Sequence, residues 1–120
     1  MTKPAIALTP DLIARFRAIV GENHTLTDPD QQLPYVRELR DLYAGRAGVV
    51  LRPGSTEEVS KILALANEHG LPVVPQAGNT GLVGGQIPMN GEIVLSIARL
   101  KKVRALDPDG FTMTVEAGMT

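Results

Sequence analysis

There is no cysteine in the 120 residues, which removes disulfide frameworks and thiolate metal sites and leaves nothing that calls for an oxidising compartment. A reducing cytoplasm is the expected location. Aromatic residues are scarce, with two Tyr, two Phe and no Trp, so the stacking platforms of single-strand nucleic-acid binders are missing. The core must be aliphatic. No charge of one sign dominates either: the formal net charge is -1 and the isoelectric point near 6.1, so there is no basic field for a phosphodiester backbone. Nucleic acid is not an expected partner. Long apolar runs are absent as well, since Gly48-Val49-Val50-Leu51 falls far short of the roughly 20 residues that cross a bilayer. Met1 to Thr9, broken by Pro4, is too short for a signal-peptide core. Neither a membrane span nor export is expected.

What remains is a globular composition, 43% hydrophobic and 21% charged, of the size of one domain or part of one. Thr9, Pro10 and Asp11 form a helix start, and Gly21 stops the helix. Leu12, Ile13, Phe16, Ile19 and Val20 recur between them at helical spacing. Asp28-Pro29-Asp30 reads as a turn, Pro34 as a helix start, and Tyr35 to Tyr43 as a short helix. From Ala47 the pattern changes to short apolar runs. Gly48 to Leu51 is a strand stopped by Pro53-Gly54. Ser55 with Glu58 is a capping box opening a helix that buries Val59, Ile62, Leu63 and Ala66 and ends at Gly70. Strands follow near 72–75 and 92–96, and strand, helix, strand implies a parallel crossover. Ala105 to Gly110 reads as a strand end and turn, with Thr112 to Glu116 alternating into a hairpin partner. The fold class is therefore α/β, a small parallel sheet flanked by helices, with an amino-terminal helical segment at 1–45 and the sheet-bearing unit at 46–120.

In open α/β sheets a ligand lies off the carboxyl ends of the strands, which points to the segment after Val74. That segment, Pro75-Gln76-Ala77-Gly78-Asn79-Thr80-Gly81-Leu82-Val83-Gly84-Gly85-Gln86, carries four glycines. Close-spaced glycines let main-chain N–H groups approach an anion. The Thr80 hydroxyl and the amides of Asn79 and Gln76 are further neutral donors. On glycine spacing alone, a phosphate cradle and a purely structural turn both fit. Two nucleotide motifs do not. Gln86 stands where a Walker loop needs lysine, and glycines at 78, 81, 84 and 85 miss the Gly-x-Gly-x-x-Gly dinucleotide fingerprint.

Pro53-Gly54-Ser55-Thr56-Glu57-Glu58-Val59, Ala66 to Val73, the 75–86 loop, Leu95 to Leu100 and Val115-Glu116-Ala117-Gly118 occur together in one order. In this the chain, from about residue 28 onward, resembles the vanillyl-alcohol-oxidase type of FAD-binding domain. Within that type it is most similar to the D-2-hydroxyglutarate, D-lactate and glycolate dehydrogenase branch. The resemblance implies a two-lobed α+β domain with the flavin between the lobes and its pyrophosphate on the 75–86 loop. It assigns Gln76, Gly78, Asn79, Thr80, Gly81, Gly84 and Gly85 to the cofactor, adds Ser96 after the third strand, and matches Glu116 to Gly118 to the start of the second lobe. It implies oxidation of a small 2-hydroxy acid to a 2-oxo acid, with substrate-carboxylate binders and a base beyond Thr120 and the 120 residues alone an incomplete, inactive enzyme. Flavinylated relatives carry a histidine in the loop where Asn79 stands, so the FAD is expected to be non-covalent. A homodimer of the whole protein is kept open. The alternatives are the FAD-dependent enolpyruvyl-sugar reductase branch, whose loop matches less well, and a non-catalytic nucleotide-binding module.

The other conspicuous residues have structural readings. His69 suits a helix C-terminus and His24 a loop, and Glu57 and Glu58 complement a helix dipole. Arg99, Lys101, Lys102 and Arg104 read as a solvated face, and Met113 and Met119 as packing residues. Asp28, Asp30, Asp107 and Asp109 belong to turns. No metal site and no catalytic dyad is expected.

Overall fold

The computed structural model describes residues 8–120; the first seven positions of the Met1–Thr9 stretch lie outside them. Thr9 accepts a hydrogen bond from the Leu12 N–H at 3.2 Å, Pro10 takes the first helical position, and α1 spans Pro10–Val20. Gly21 ends it at φ +91°. A single 3₁₀ turn, Glu22–His24, leads into the two-residue strand β1, Thr25–Leu26.

The next helix differs from the sequence expectation. α2 runs Pro29–Val36, not Tyr35 to Tyr43, because Asp28 is its N-cap, accepting from the Asp30 N–H at 2.9 Å, and Pro29 fills the first position. Pro34 lies inside the helix. Its missing N–H costs one bond in an element only two turns long, and residues 37–44 then form turns.

The sheet unit follows the expected strand, helix, strand order. β2 is Ala47–Leu51, α3 Thr56–Glu68, β3 Val73–Gln76 and β4 Glu92–Ser96. Ser55 accepts from the Glu58 N–H at 3.2 Å, while the Glu58 carboxylate reaches one residue further back than a standard capping box and accepts from the Gly54 N–H at 2.6 Å. The strand order is β1-β2-β4-β3, with β2 and β3 both parallel to β4 and β1 antiparallel on the far edge. Pro72 and Gln76 offer their carbonyls inward to Ile93 and Ile97 of the β4 segment. Strand alternation therefore turns the Pro75 nitrogen to the free edge of β3.

One face of this sheet packs against α1 and α3. Phe16, Val49, Leu51, Ile62 and Ile93 are fully buried there, with Leu12, Val20, Leu65, Ala66 and Leu95 around them. Each such side chain contributes roughly 1.5–3 kcal/mol of transfer free energy. Leu65 faces this core, whereas Leu63, expected there, is 46% exposed. The other face is smaller, Ala47, Val50 and Val94 beneath Leu26, Tyr35 and Val36 of the α2 side. The helices of the first 45 residues thus share their cores with the strands.

The hairpin forms as expected, β5 Val103–Asp107 against β6 Thr112–Val115. Its turn is closed by Asp107, which accepts from the Gly110 N–H at 3.0 Å. Met113, read as a packing residue, is exposed, as are Val103, Leu106 and Phe111. Arg99 does not belong to the solvated basic run: it donates to the Arg52 carbonyl at 2.8 Å and packs against Gly54, where a Cβ would lie 2.7 Å from the guanidinium. The His69 ring meets Arg15 at 3.0 Å, and its backbone, not its ring, caps α3.

Candidate functional site: a glycine loop at the carboxyl ends of the strands

β3 delivers Gln76 and β4 delivers Ser96 to the same level, since the two are register partners in the parallel ladder. Both are buried, Gln76 at 3% exposure and Ser96 at 0%. Beyond them the chain opens into the loop, and Pro75 to Gly81 together with Gln86 enclose a concavity of about 220 Å³ with no charged side chain in its wall.

The loop's side-chain amides turn inward. Gln76 donates to the carbonyls of Tyr35 at 2.9 Å and Gln86 at 3.0 Å. Asn79 donates to Pro34 at 3.0 Å and Arg37 at 2.5 Å. Gln86 donates to the Asn79 side-chain oxygen at 3.1 Å and to the Gly81 carbonyl at 2.8 Å. The amide donors of Gln76 and Asn79, expected to face a phosphate, are thus used to tie the loop to the end of α2. Asn79 also takes φ +54°, a left-handed conformation that asparagine tolerates better than most residues.

What the loop leaves free is its backbone. Among the described residues, no main-chain N–H from Gly78 to Gln86 has a hydrogen-bond partner. Of these, Gly78 to Gly81 and Gln86 belong to the wall of the hollow, and open N–H donors at a neutral concavity are the chemistry that holds an anion without a fixed cation. The Ser96 Oγ is buried and also unpartnered. Thr80 is exposed beside the hollow.

The glycines divide by what surrounds them. A Cβ at Gly78 would meet only the Thr120 methyl at 3.4 Å and the Thr80 methyl at 3.9 Å, and one at Gly85 nothing within 4 Å. These two positions are open, and Gly78 lies on the hollow. A Cβ at Gly81 would come 2.7 Å from the Gln86 amide oxygen, and one at Gly84, with φ +77°, 2.9 Å from the Tyr43 ring. Those two are needed by the loop itself.

Residues 116–120 return to the same end of the sheet. Glu116 accepts from the Lys102 N–H at 3.0 Å and pairs with Arg104 at 3.5 Å. The Lys102 N–H, against an opposing effect of burial and with help from Arg104, holds its carboxyl below the ordinary range. Gly118 donates to Leu100 at 2.8 Å, in a space so tight that a Cβ would lie 1.9 Å from the Ile97 carbonyl oxygen. His24 lies near Arg99 and Arg52, and burial first, then those two guanidinium groups, lower its pKa against the pull of Glu58. Among the described residues no cluster of His, Asp and Glu is arranged to hold a metal ion, and no helix is long and apolar enough to cross a membrane.

The hollow suits a pyrophosphate rather than a whole dinucleotide. About 220 Å³ is below the roughly 300–1,000 Å³ of a complete ligand pocket, while the open N–H groups and the uncharged wall match the requirement of one bound anionic group; Ser96, fully buried, is not in that wall.

Sequence reading missed three contributors: Gln86, which bridges the loop, and Arg40 and Tyr43, which touch it from the 37–44 turn. Gln86 carried a weak signal, a polar residue between a glycine pair and the buried Ile87. The other two carried none, because their partners lie about 40 residues downstream.

The model of a family described as "FAD binding domain" matches residues 47–120. The chain is 38% identical over 109 residues to a D-2-hydroxyglutarate–pyruvate transhydrogenase of Saccharomyces cerevisiae, covering 89% of this chain and 22% of that protein. It is 40% identical over 115 residues to the mitochondrial D-2-hydroxyglutarate dehydrogenase of Danio rerio, covering 96% of this chain and 21% of that one. The chain thus spans about a fifth of the length of these relatives. Among solved structures, p-cresol methylhydroxylase with substrate bound superposes with a TM-score of 0.77 at 24% identity, over 90% of this chain and 22% of the other.

Proposed function

The chain belongs to the FAD binding domain family, and from that premise we propose that it forms the pyrophosphate-holding part of a flavin-dependent oxidoreductase that converts a small 2-hydroxy acid to the 2-oxo acid. The observation that carries this reading is the set of open backbone N–H groups at Gly78 to Gly81 and Gln86, all in the wall of an uncharged hollow. The names of the yeast and zebrafish relatives support a substrate of the D-2-hydroxyglutarate kind; D-lactate and glycolate belong to the same chemical class.

When bound, the flavin supplies the two-electron acceptor that oxidation of a carbinol carbon needs. The chain's own part is to bind and orient. Backbone N–H groups of the loop would donate to phosphate oxygens, the Thr80 hydroxyl would add a donor at the rim, and the buried Ser96 Oγ would gain a partner. Gly78 leaves room for close approach. Attachment of the loop to α2 through Gln76 and Asn79, with Gln86 bridging the loop internally, means that little order has to be created on binding.

We read the attachment of FAD as non-covalent. Asn79 is committed to two carbonyls, and no histidine lines the hollow. Acid precipitation of the whole protein should leave the yellow colour in the supernatant; flavin fluorescence that stays with the protein band on a denaturing gel would refute it. We also propose a cytoplasmic location, on the absence of cysteine from these 120 residues, and cell fractionation checks this against the mitochondrial setting of the zebrafish relative.

The test of function is anaerobic mixing of the whole flavoprotein with D-2-hydroxyglutarate, D-lactate and glycolate. One of them should bleach the flavin and yield the matching 2-oxo acid. A flavoprotein that none of the three reduces would reject the substrate class, and a protein purified without flavin and unable to take it up would reject the cofactor site. The 120 residues alone should turn over none of the three.

A further inference from the structure

The 37–44 turn offers a feature that neither the loop's chemistry nor the cofactor accounts for. Glu38 is only 5% exposed. Its carboxylate accepts from the Arg40 N–H at 2.8 Å, from the Tyr43 N–H at 3.1 Å, and from the Leu42 N–H. Its own carbonyl accepts from the Asp41 N–H at 2.9 Å, and Asp41 is held at φ +54°. A two-oxygen acceptor with no proton of its own is the side chain that can satisfy three converging donors.

The residues gathered around that carboxylate are the ones that reach the glycine loop. Arg40 donates from its guanidinium to the Leu82 carbonyl at 2.5 Å. The Tyr43 ring lies flat enough against Gly84 that a Cβ there would be 2.9 Å from it. The near limb of the loop, Gln76 and Asn79, is tied to α2. Its far limb, Leu82 to Gly84, is held by the turn.

We propose that Glu38 is a positioning residue for the anion-binding loop: it fixes the 38–43 turn, and through Arg40 and Tyr43 the turn fixes the far limb, which joins Gly81 to Gln86 and so holds those two in the wall of the hollow. This rests on the FAD reading above for its ligand, but the clamp is a property of the flavin-free protein as well. Glu38 itself touches no part of the hollow. Removing it leaves the near limb anchored and releases the far limb, so the binding defect comes from lost order and not from a lost contact.

The experiment uses Glu38→Ala, Glu38→Gln and Arg40→Ala in the full chain, with Lys61→Ala on the outer side of α3 as control. Backbone order parameters are measured in the flavin-free form, and the dissociation constant for FAD by titration. In Glu38→Ala the order parameters of Leu82 to Gly84 should fall from near 0.85 toward about 0.6, while those of β2 and β4 stay unchanged. The FAD dissociation constant should rise about tenfold, equivalent to about 1.4 kcal/mol, the scale of ordering one loop residue. Glu38→Gln, which retains one acceptor oxygen, should fall between alanine and the parent. Arg40→Ala, at an exposed position, should reproduce the loss at Leu82 even where Glu38→Ala does not fold. Unchanged order at Leu82 to Gly84 in the folded variants overturns the proposal. So does an unchanged FAD constant where the parent binds FAD. A parent that binds no FAD rejects the cofactor reading instead, and the order parameters then decide the clamp alone.

Discussion

A methyl group at position 78 should separate the two meanings of the glycine loop. The protein has room for it: the nearest atoms would be methyl carbons at 3.4 and 3.9 Å, and Gly78 is not among the positive-φ glycines. Gly78→Ala should therefore cost the folded state no more than about 0.5 kcal/mol, and the stiffer unfolded chain can turn this into a net gain of ~0.4–1 kcal/mol. A phosphate oxygen taken up by the neighbouring N–H groups would be obstructed by the same methyl. Loss of one hydrogen bond to a charged group is worth roughly 1.5–3 kcal/mol, or about 10- to 150-fold in the dissociation constant. Gly81→Ala is the contrasting variant, since its Cβ would meet the Gln86 amide at 2.7 Å and displace a bridge of the loop; it should lose both stability and flavin. Isothermal titration of the flavin-free protein with FAD gives the affinity, and urea unfolding gives the stability. A Gly78→Ala protein with parental affinity would mean that no ligand approaches there and that the open N–H groups serve another purpose.

Gly45→Ala should destabilise by about 1–3 kcal/mol, because its Cβ would be built 1.8 Å from the Pro88 carbonyl oxygen; the urea midpoint measures it. Ser96→Ala removes a buried hydroxyl without a partner, so the flavin-free protein should unfold at the same or a slightly higher urea concentration while its FAD affinity falls; loss of stability would show that the hydroxyl has a partner in solution. Stability should decline in two steps as pH falls. His24, lowered by burial and by Arg99 and Arg52, takes up its proton more readily when unfolded, so its contribution declines from about pH 6.5. Burial pushes the Glu38 carboxyl up, but the N–H groups of Arg40, Tyr43 and Leu42 and the Arg40 charge outweigh that and hold it low. Its stabilisation, like that of Glu116, is complete above the ordinary glutamate range near 4.3 and disappears as pH falls through the lower folded value. Urea midpoints at pH 7, 5.5 and 4 should descend in that order, and the step below pH 5 should shrink in Glu38→Gln.

The frame from β2 to β4 was readable because its signals are local. Ser55 with Glu58, Gly70, and short β-branched runs beside proline each act within a few residues, and the structure places elements where they point. α2 starts earlier than its sequence signal suggests because Asp28-Pro29 has two meanings, a turn or an N-cap with a first helical residue; in the helix Gln32 is buried and its amide donates to the Leu26 carbonyl at 2.9 Å. Leu63 was assigned inward because a three-four spacing allows two adjacent faces, and packing against α1 selected Leu65. At the site, the loop could be located but not its wiring. The donors of Gln76 and Asn79 are visible in sequence; the carbonyls of Pro34, Tyr35 and Arg37 that consume them lie more than 40 positions away. Nothing local in the sequence marks Glu38, because the three backbone donors around its carboxylate converge only once the turn has folded.

Pro75 has a consequence for how the molecule behaves in concentrated solution. The outer side of β3 would otherwise offer a row of N–H and C=O groups to a strand from another molecule, the commonest seed of sheet-to-sheet polymerisation. An edge strand with a ring nitrogen at its middle lacks the donor for a continuous ladder and puts bulk in its way. The other rim is the two-residue β1, and a very short edge strand offers little to pair with. Growth of fibrils through this sheet is thus disfavoured at both rims, and Pro75→Thr should make the flavin-free protein bind amyloid dyes sooner and more strongly than its parent at equal concentration.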